Sequence, residues 1–185
     1  ADPGARPSGY DRRCRHLDAA EVERRLAASE PHVVRLKMPL TGSFELQDLL
    51  RGEIRFDAAS LEDTVLIKSD GYPTYHFAVV VDDHLMAVTH VLRGEEWIPS
   101  SPIQMQIYKA FGWTEPIWVH LPLVLNPPDP ETGAGRGKMS KRFGDTSLSE
   151  FRAKGYLPEA MLNYLTSLGS SYSGDQALFS PAQSP

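Results

Sequence analysis

Three cations fall within five residues at Lys138-Met139-Ser140-Lys141-Arg142, directly behind glycines at 133, 135 and 137. Ammonium and guanidinium groups on so flexible a base can close over a triphosphate and neutralise charge developing on a departing pyrophosphate. A solvated basic loop is the other reading that the pentapeptide alone allows. A second concentration of functional side chains lies upstream, in Gly71-Tyr72-Pro73-Thr74-Tyr75-His76-Phe77-Ala78-Val79-Val80-Val81-Asp82-Asp83-His84. A third, Thr89-His90-Val91-Leu92-Arg93-Gly94-Glu95-Glu96-Trp97, places Arg93 behind a strand-forming run. A long side chain there could project into a pocket at the strand's carboxyl end, the usual ligand position in open α/β sheets. Asp82, Asp83 and His84 could form a metal cluster, but neighbouring residues on one turn diverge, which favours the other reading. They read as capping or solvated groups.

The elements that must position these residues are partly visible in the pattern. A helix begins after Asp18, a cap, with Glu21 where a capping box closes. Strands are expected at 33–38, 63–69, 87–92 and 117–125, the last with Pro122 at an edge or break. Residues 39–57 look polar and turn-prone. Residues 78–81 favour a strand by propensity, though one buried helical turn fits their length equally. Ser101-Pro102 opens a helix with Ile103, Ile107, Tyr108 and Phe111 on one face and Gly112 as its stop. Residues 126–137 form a Pro/Gly loop. Ser147 and Glu150 form a capping box for a short helix ending at Gly155. A last helix, 158–168, turns Met161, Leu162, Leu165 and Leu168 inward and stops at Gly169. Strands alternating with helices predict an α/β fold with parallel pairing.

Composition narrows the function classes. The 185 residues carry 19 basic and 24 acidic side chains, net −5, with 41% hydrophobic and 23% charged residues. Such a chain builds a core and is not wholly disordered. No apolar run approaches the roughly 18 residues of a membrane helix, and one cysteine excludes an internal disulfide framework. Slight acidity argues against nonspecific coating of nucleic acid, while a local patch such as Arg12, Arg13 and Arg15 is either a solvated face or a phosphate contact. Residues 1–9 lack the basic start and apolar core of a signal peptide. The Ser/Gly/Pro-rich 170–185 reads as a tail or as a cut inside a longer protein.

Taken in order, the Gly71–His84 run, the Thr89–Trp97 run, Ser100-Ser101-Pro102 and the basic pentapeptide resemble glutamyl-tRNA synthetase of the bacterial and organellar type. The resemblance extends from about residue 10 to 169 and covers the middle of the family's protein. It implies an α/β chain holding the second half of a class I Rossmann-like nucleotide-binding domain. Residues 1–68 would be part of an inserted domain for the tRNA acceptor end, 69–144 the Rossmann-like half, and 145–185 the start of a helical stem-contact domain. In that frame residues 78–83 become a short helix.

The same resemblance assigns roles. Arg93 corresponds to the arginine that grips the substrate carboxylate, a use that suits its planar fork. Tyr75 lines the L-glutamate pocket, with His76, Phe77, Ala78 and Val79 as the adjoining wall. Val79 stands where some relatives have asparagine, so it contributes shape. Glu96 lies beside the adenine nucleotide with Trp97 packed next to it. Lys138, Met139, Ser140, Lys141 and Arg142 form the ATP-closing loop, Lys138 and Lys141 being the catalytic cations. The implied partners are ATP, L-glutamate and tRNA(Glu), with Mg²⁺ on the phosphates, no membrane, and a monomeric complete enzyme in the bacterial cytoplasm or the mitochondrion. Cys14-Arg15-His16 resembles half a zinc site, but zinc takes about four ligands, so zinc is disfavoured.

None of the six histidines (16, 32, 76, 84, 90 and 120) begins the His-x-Gly-His motif of class I synthetases. An anticodon-reading domain is likewise missing from the resemblance. The chain alone is therefore expected to form no adenylate, which glutamate-dependent ATP–pyrophosphate exchange checks directly. Three other readings compete. A glutaminyl synthetase usually lacks an arginine at the position of Arg93. The shorter relative that glutamylates a modified tRNA base shares the Val-Val-Val-Asp-Asp run and the arginine, whereas Trp97, the intact pentapeptide and the 158–168 helix favour the synthetase. A truncated, inactive acceptor-stem RNA-binding module is the non-enzymatic alternative.

Overall fold

A computed structural model describes residues 9–126, 132, 137–138 and 147–169. Met139, Ser140, Lys141 and Arg142, and the tail at 170–185, lie outside the described residues. The chain forms two compact units, one of residues up to 92 together with 97–120, the other of 93–96 together with residues from 121 onward.

The first unit is built around a mixed sheet. Its strands, β2 (Ser43–Asp48), β3 (Gly52–Asp57), β5 (His90–Gly94, of which 90–92 belong to this unit) and β6 (Ile117–Leu121, of which 117–120 do), lie in the order β3-β2-β6-β5. Strands β2 and β3 pair antiparallel from Ser43↔Asp57 to Asp48↔Gly52, while β2 runs parallel to β6 at Asp48↔Trp118. This hairpin occupies the region expected to be turn-prone. Its signal was a period of two: Phe44 and Leu46, then Ile54 and Phe56, alternate with Glu45, Gln47, Glu53 and Arg55, placing one apolar face on the core. A separate two-stranded ladder pairs β1 (Val34–Arg35) antiparallel with β4 (Val65–Ile67), both much shorter than expected. Strand β6 ends at Leu121, before Pro122, because an interior strand tolerates no missing amide.

Helices complete the layer: α1 (Ala19–Ala27), α2 (Tyr75–Leu85) and α3 (Ser101–Phe111). Residues 78–81 are helical, against their β-propensity and in line with the family frame, and α2 runs further than that frame implied. Tertiary packing overrides propensity here: Val80 is buried, and Phe77 and Val79 pack on the core of Leu36, Met38, Leu46, Ile107, Tyr108 and Trp118. In α1, Asp18 caps the Ala20 amide at 2.9 Å, but Glu21 pairs with Arg24 and Arg25 rather than closing a box. Helix α3 starts at Ser101 itself, behind Ser100, and Gly112 ends it with φ 67°, the left-handed cap expected. Ile107 and Tyr108 are buried, whereas Phe111 is half exposed.

Buried charge ties the amino-terminal segment down. Asp63, 2% exposed, receives Arg15 through both carboxylate oxygens at 2.6 and 2.7 Å and the Met38 amide at 3.0 Å. Arg12 donates to the Leu61 carbonyl at 2.7 Å. Two members of the Arg12, Arg13, Arg15 cluster are thus engaged within the fold, which corrects its reading as a purely solvated or phosphate-facing patch. Cys14 is exposed, and among the described residues no group of three or more His, Cys, Asp or Glu is placed to hold a metal.

In the second unit, α4 (Leu148–Ala153) carries the expected capping box: Ser147 Oγ accepts the Glu150 amide at 3.3 Å, and Glu150 accepts the Ser147 amide at 2.9 Å. Helix α5 (Pro158–Gly169) includes Gly169 instead of stopping before it. Leu162, Leu165 and Leu168, expected to turn inward, are all more than one-third exposed. No helix among the described residues is long and apolar enough to cross a membrane.

Candidate active site

Each unit holds one group of the candidate residues. In the first, β4 delivers the chain to α2 through a tight dock: the Thr74 amide donates to the Leu66 carbonyl and its hydroxyl to the Val65 carbonyl, both at 2.8 Å. That dock fixes the first turn of α2. Tyr75 projects outward, half exposed, with its ring 5.1 Å from that of Trp97 and 5.6 Å from His76. Aromatic rings at such separations attract beyond simple burial. Phe77 stacks on Phe111 at 6.1 Å and, with Val79, faces the core. His76 and Ala78 are half-buried on the same helix. At the far end of α2, His84 stacks flat on Trp113 at 3.8 Å, a packing role that sequence did not suggest.

In the second unit, Arg93 lies on β5, half-buried, one residue before the strand ends at Gly94. Glu96 forms an ion pair with Lys138. The hydrogen bond from Lys138 holds the Glu96 carboxyl below its ordinary value of 4.5, against a smaller opposing push from burial. Lys138 itself is held by its backbone. It bridges Leu125 in antiparallel fashion, and the Asn126 side chain donates to its carbonyl at 3.1 Å while the Asn126 amide donates to the Gly137 carbonyl at 2.9 Å. The first lysine of the pentapeptide therefore stands at a pinned loop base.

One further constellation escaped sequence reasoning. Asp48 and His120, both fully buried, share a hydrogen bond of 2.7 Å between Oδ2 and Nδ1. The residues lie 72 positions apart, so no spacing signal marks them.

The family of class I tRNA synthetases (E and Q), catalytic domain, matches residues 2–184. The chain belongs to that family, and its fold is accordingly the α/β, Rossmann-like one of class I catalytic domains. Among individual proteins, it is 51% identical over 178 residues to the glutamate–tRNA ligase of Treponema pallidum, covering 96% of this chain and 32% of the relative. It is 50% identical over 172 residues to that of Chlamydia caviae, covering 93% and 33%. A glutamate tRNA ligase from Elizabethkingia meningosepticum, solved in complex with its amino acid, superposes with a TM-score of 0.73 at 39% identity, covering 93% of this chain and 38% of that one. The chain thus spans about one-third of the length of the curated relatives it matches.

Proposed function

We propose that this chain is the central catalytic segment of a glutamate–tRNA ligase, which joins L-glutamate to ATP as glutamyl-adenylate and passes the glutamyl group to the 3′ end of tRNA(Glu). The observation that carries this reading is the ion pair of Glu96 with Lys138, because it joins the acid beside the assigned nucleotide position to the first cation of the phosphate-closing loop. The names of the relatives support the same reading and do not favour transfer to a modified base or an inactive RNA-binding module. The assignment gives residues 1–68 to the inserted acceptor-binding domain, 69–144 to the nucleotide-binding half and 145–185 to the start of the stem-contact domain.

In this scheme the Arg93 guanidinium orients the glutamate carboxylate, and Tyr75 lines the glutamate pocket with His76, Phe77, Ala78 and Val79 as its wall. Attack of the α-carboxylate on the α-phosphorus releases pyrophosphate, so negative charge grows on the leaving oxygens. Lys138, Lys141 and Arg142 serve that charge, with Met139 and Ser140 completing the loop. Mg²⁺ would ride on the phosphates and waters, a mode that needs no all-protein cage. A monomeric complete enzyme, working in a bacterial cytoplasm or a mitochondrion, belongs to the same proposal.

Lys141→Ala in the complete enzyme tests the loop assignment. Loss of one such preorganised donor costs about 3 kcal/mol, a fall of roughly 100-fold in kcat for pyrophosphate exchange. The glutamate KM should hardly move, since the charge served exists only in the transition state. A raised KM with unchanged kcat would remove Lys141 from the mechanism.

A further inference from the structure

We propose that Glu96 is the resting counter-ion of Lys138, a carboxylate that holds this lysine until the phosphates of a nucleoside triphosphate take its place. The inference rests on the ATP site proposed above and adds to it an exchange step. The lysine's main chain is already pinned by Leu125 and Asn126, so only its side chain has to move. The pair lies open to an incoming anion: the Lys138 side chain is 56% exposed and that of Glu96 32%. A polyphosphate carries more charge than one carboxylate and binds cations through stronger charge-assisted hydrogen bonds, so it displaces Glu96. The carboxylate, now an acceptor without its lysine, is then available to donors on the nucleoside.

Gly94 belongs to the same device. A Cβ at this position would collide with the Glu96 carboxylate, whose present place beside Lys138 uses the room that glycine leaves. Because Glu96 stays ionised throughout the neutral range, its carboxyl lying below 4.5, protonation does not release the lysine. Only a competing anion does.

The test titrates inorganic tripolyphosphate, which has no nucleoside for Glu96 to contact, into the complete ligase by calorimetry. Glu96→Gln is expected to bind about fivefold more tightly than wild type, the ratio that a partly exposed ion pair is worth. Gly94→Ala, which pushes the carboxylate aside, should shift affinity in the same direction. In a Lys138→Ala background the gain from Glu96→Gln should vanish, because the two residues act as one unit. The proposal is overturned if Glu96→Gln brings no gain, if the gain survives without Lys138, or if no variant binds tripolyphosphate. A parallel titration with ATP separates the two layers. ATP binding better than tripolyphosphate with no gain from Glu96→Gln leaves the nucleotide site standing and removes the exchange. The full tripolyphosphate pattern with no added affinity for ATP keeps the ion-pair exchange and removes the nucleotide site.

Discussion

Arg93→Ala should lower kcat/KM for glutamate in the complete ligase by about 10⁴-fold and narrow the preference for glutamate over glutamine. The two amino acids have nearly the same size and shape, so a pocket can separate them only through charge. Arg93 is half-buried at the end of β5, ahead of Gly94, at the carboxyl edge where open α/β sheets hold their ligands. On the proposed assignment this guanidinium gains a charge-assisted pair with the side-chain carboxylate of glutamate, whereas glutamine leaves part of its fork unmatched. Removing it forfeits that difference. Arg93→Lys should recover little, because an ammonium cannot reproduce planar, bidentate recognition. Steady-state pyrophosphate exchange with both amino acids decides the matter. A mutant that keeps its full preference for glutamate would show that specificity lies elsewhere than in Arg93.

Asp48→Ala should destabilise the first unit by about 3–5 kcal/mol, the usual loss when one partner of a buried polar pair is removed. Asp48 Oδ1 accepts the Leu50 and Arg51 amides, each at 3.0 Å, which closes the turn between β2 and β3. Its Oδ2 accepts the His120 amide at 3.0 Å and pairs with the ring at 2.7 Å, which fastens that turn to β6. Alanine leaves the His120 amide and ring buried without their acceptor. Urea unfolding followed by circular dichroism measures the loss, and a shift of the midpoint below that expected for a surface change would contradict the account. Burial alone pushes the Asp48 carboxyl up, but the hydrogen bond from His120 and the amides of Arg51 and Leu50 outweigh it, leaving it below its ordinary 3.8. Since the folded value is the lower one, the unfolded chain binds more protons between the two values. The stabilisation from Asp48 is thus fully present above 3.8 and lost as pH falls through the folded value. Asp48→Asn should flatten that acid limb.

Local chemistry made parts of this molecule legible in sequence. The Ser147–Glu150 capping box, the Asp18 cap and the Gly112 stop each follow from a side chain acting within one turn of its own position. The Gly71–His84 and Thr89–Trp97 runs and the basic pentapeptide carried the family, because their residues are consecutive. What escaped depended on partners far along the chain. Residues 78–81 look like a strand until Phe77, Val79 and Val80 find a core on one side of a helix. The β2–β3 hairpin hid because its charged alternate residues make the segment look polar overall. Asp48 with His120 and Asp63 with Arg15 are joined only by folding. The inward face expected for α5 failed for a related reason: an apolar stripe fixes which side is oily, not what lies against it.

The central claim is that this chain belongs to an enzyme that esterifies glutamate to tRNA. Its most direct test is aminoacylation by the complete ligase, with each amino acid in turn, on an in-vitro tRNA(Glu) transcript that contains no modified base. Glutamate should be attached to this transcript, in an ATP-dependent reaction that stops when the 3′-terminal ribose is blocked. Glutamylation only of naturally modified tRNA, or charging with glutamine in place of glutamate, would contradict that claim.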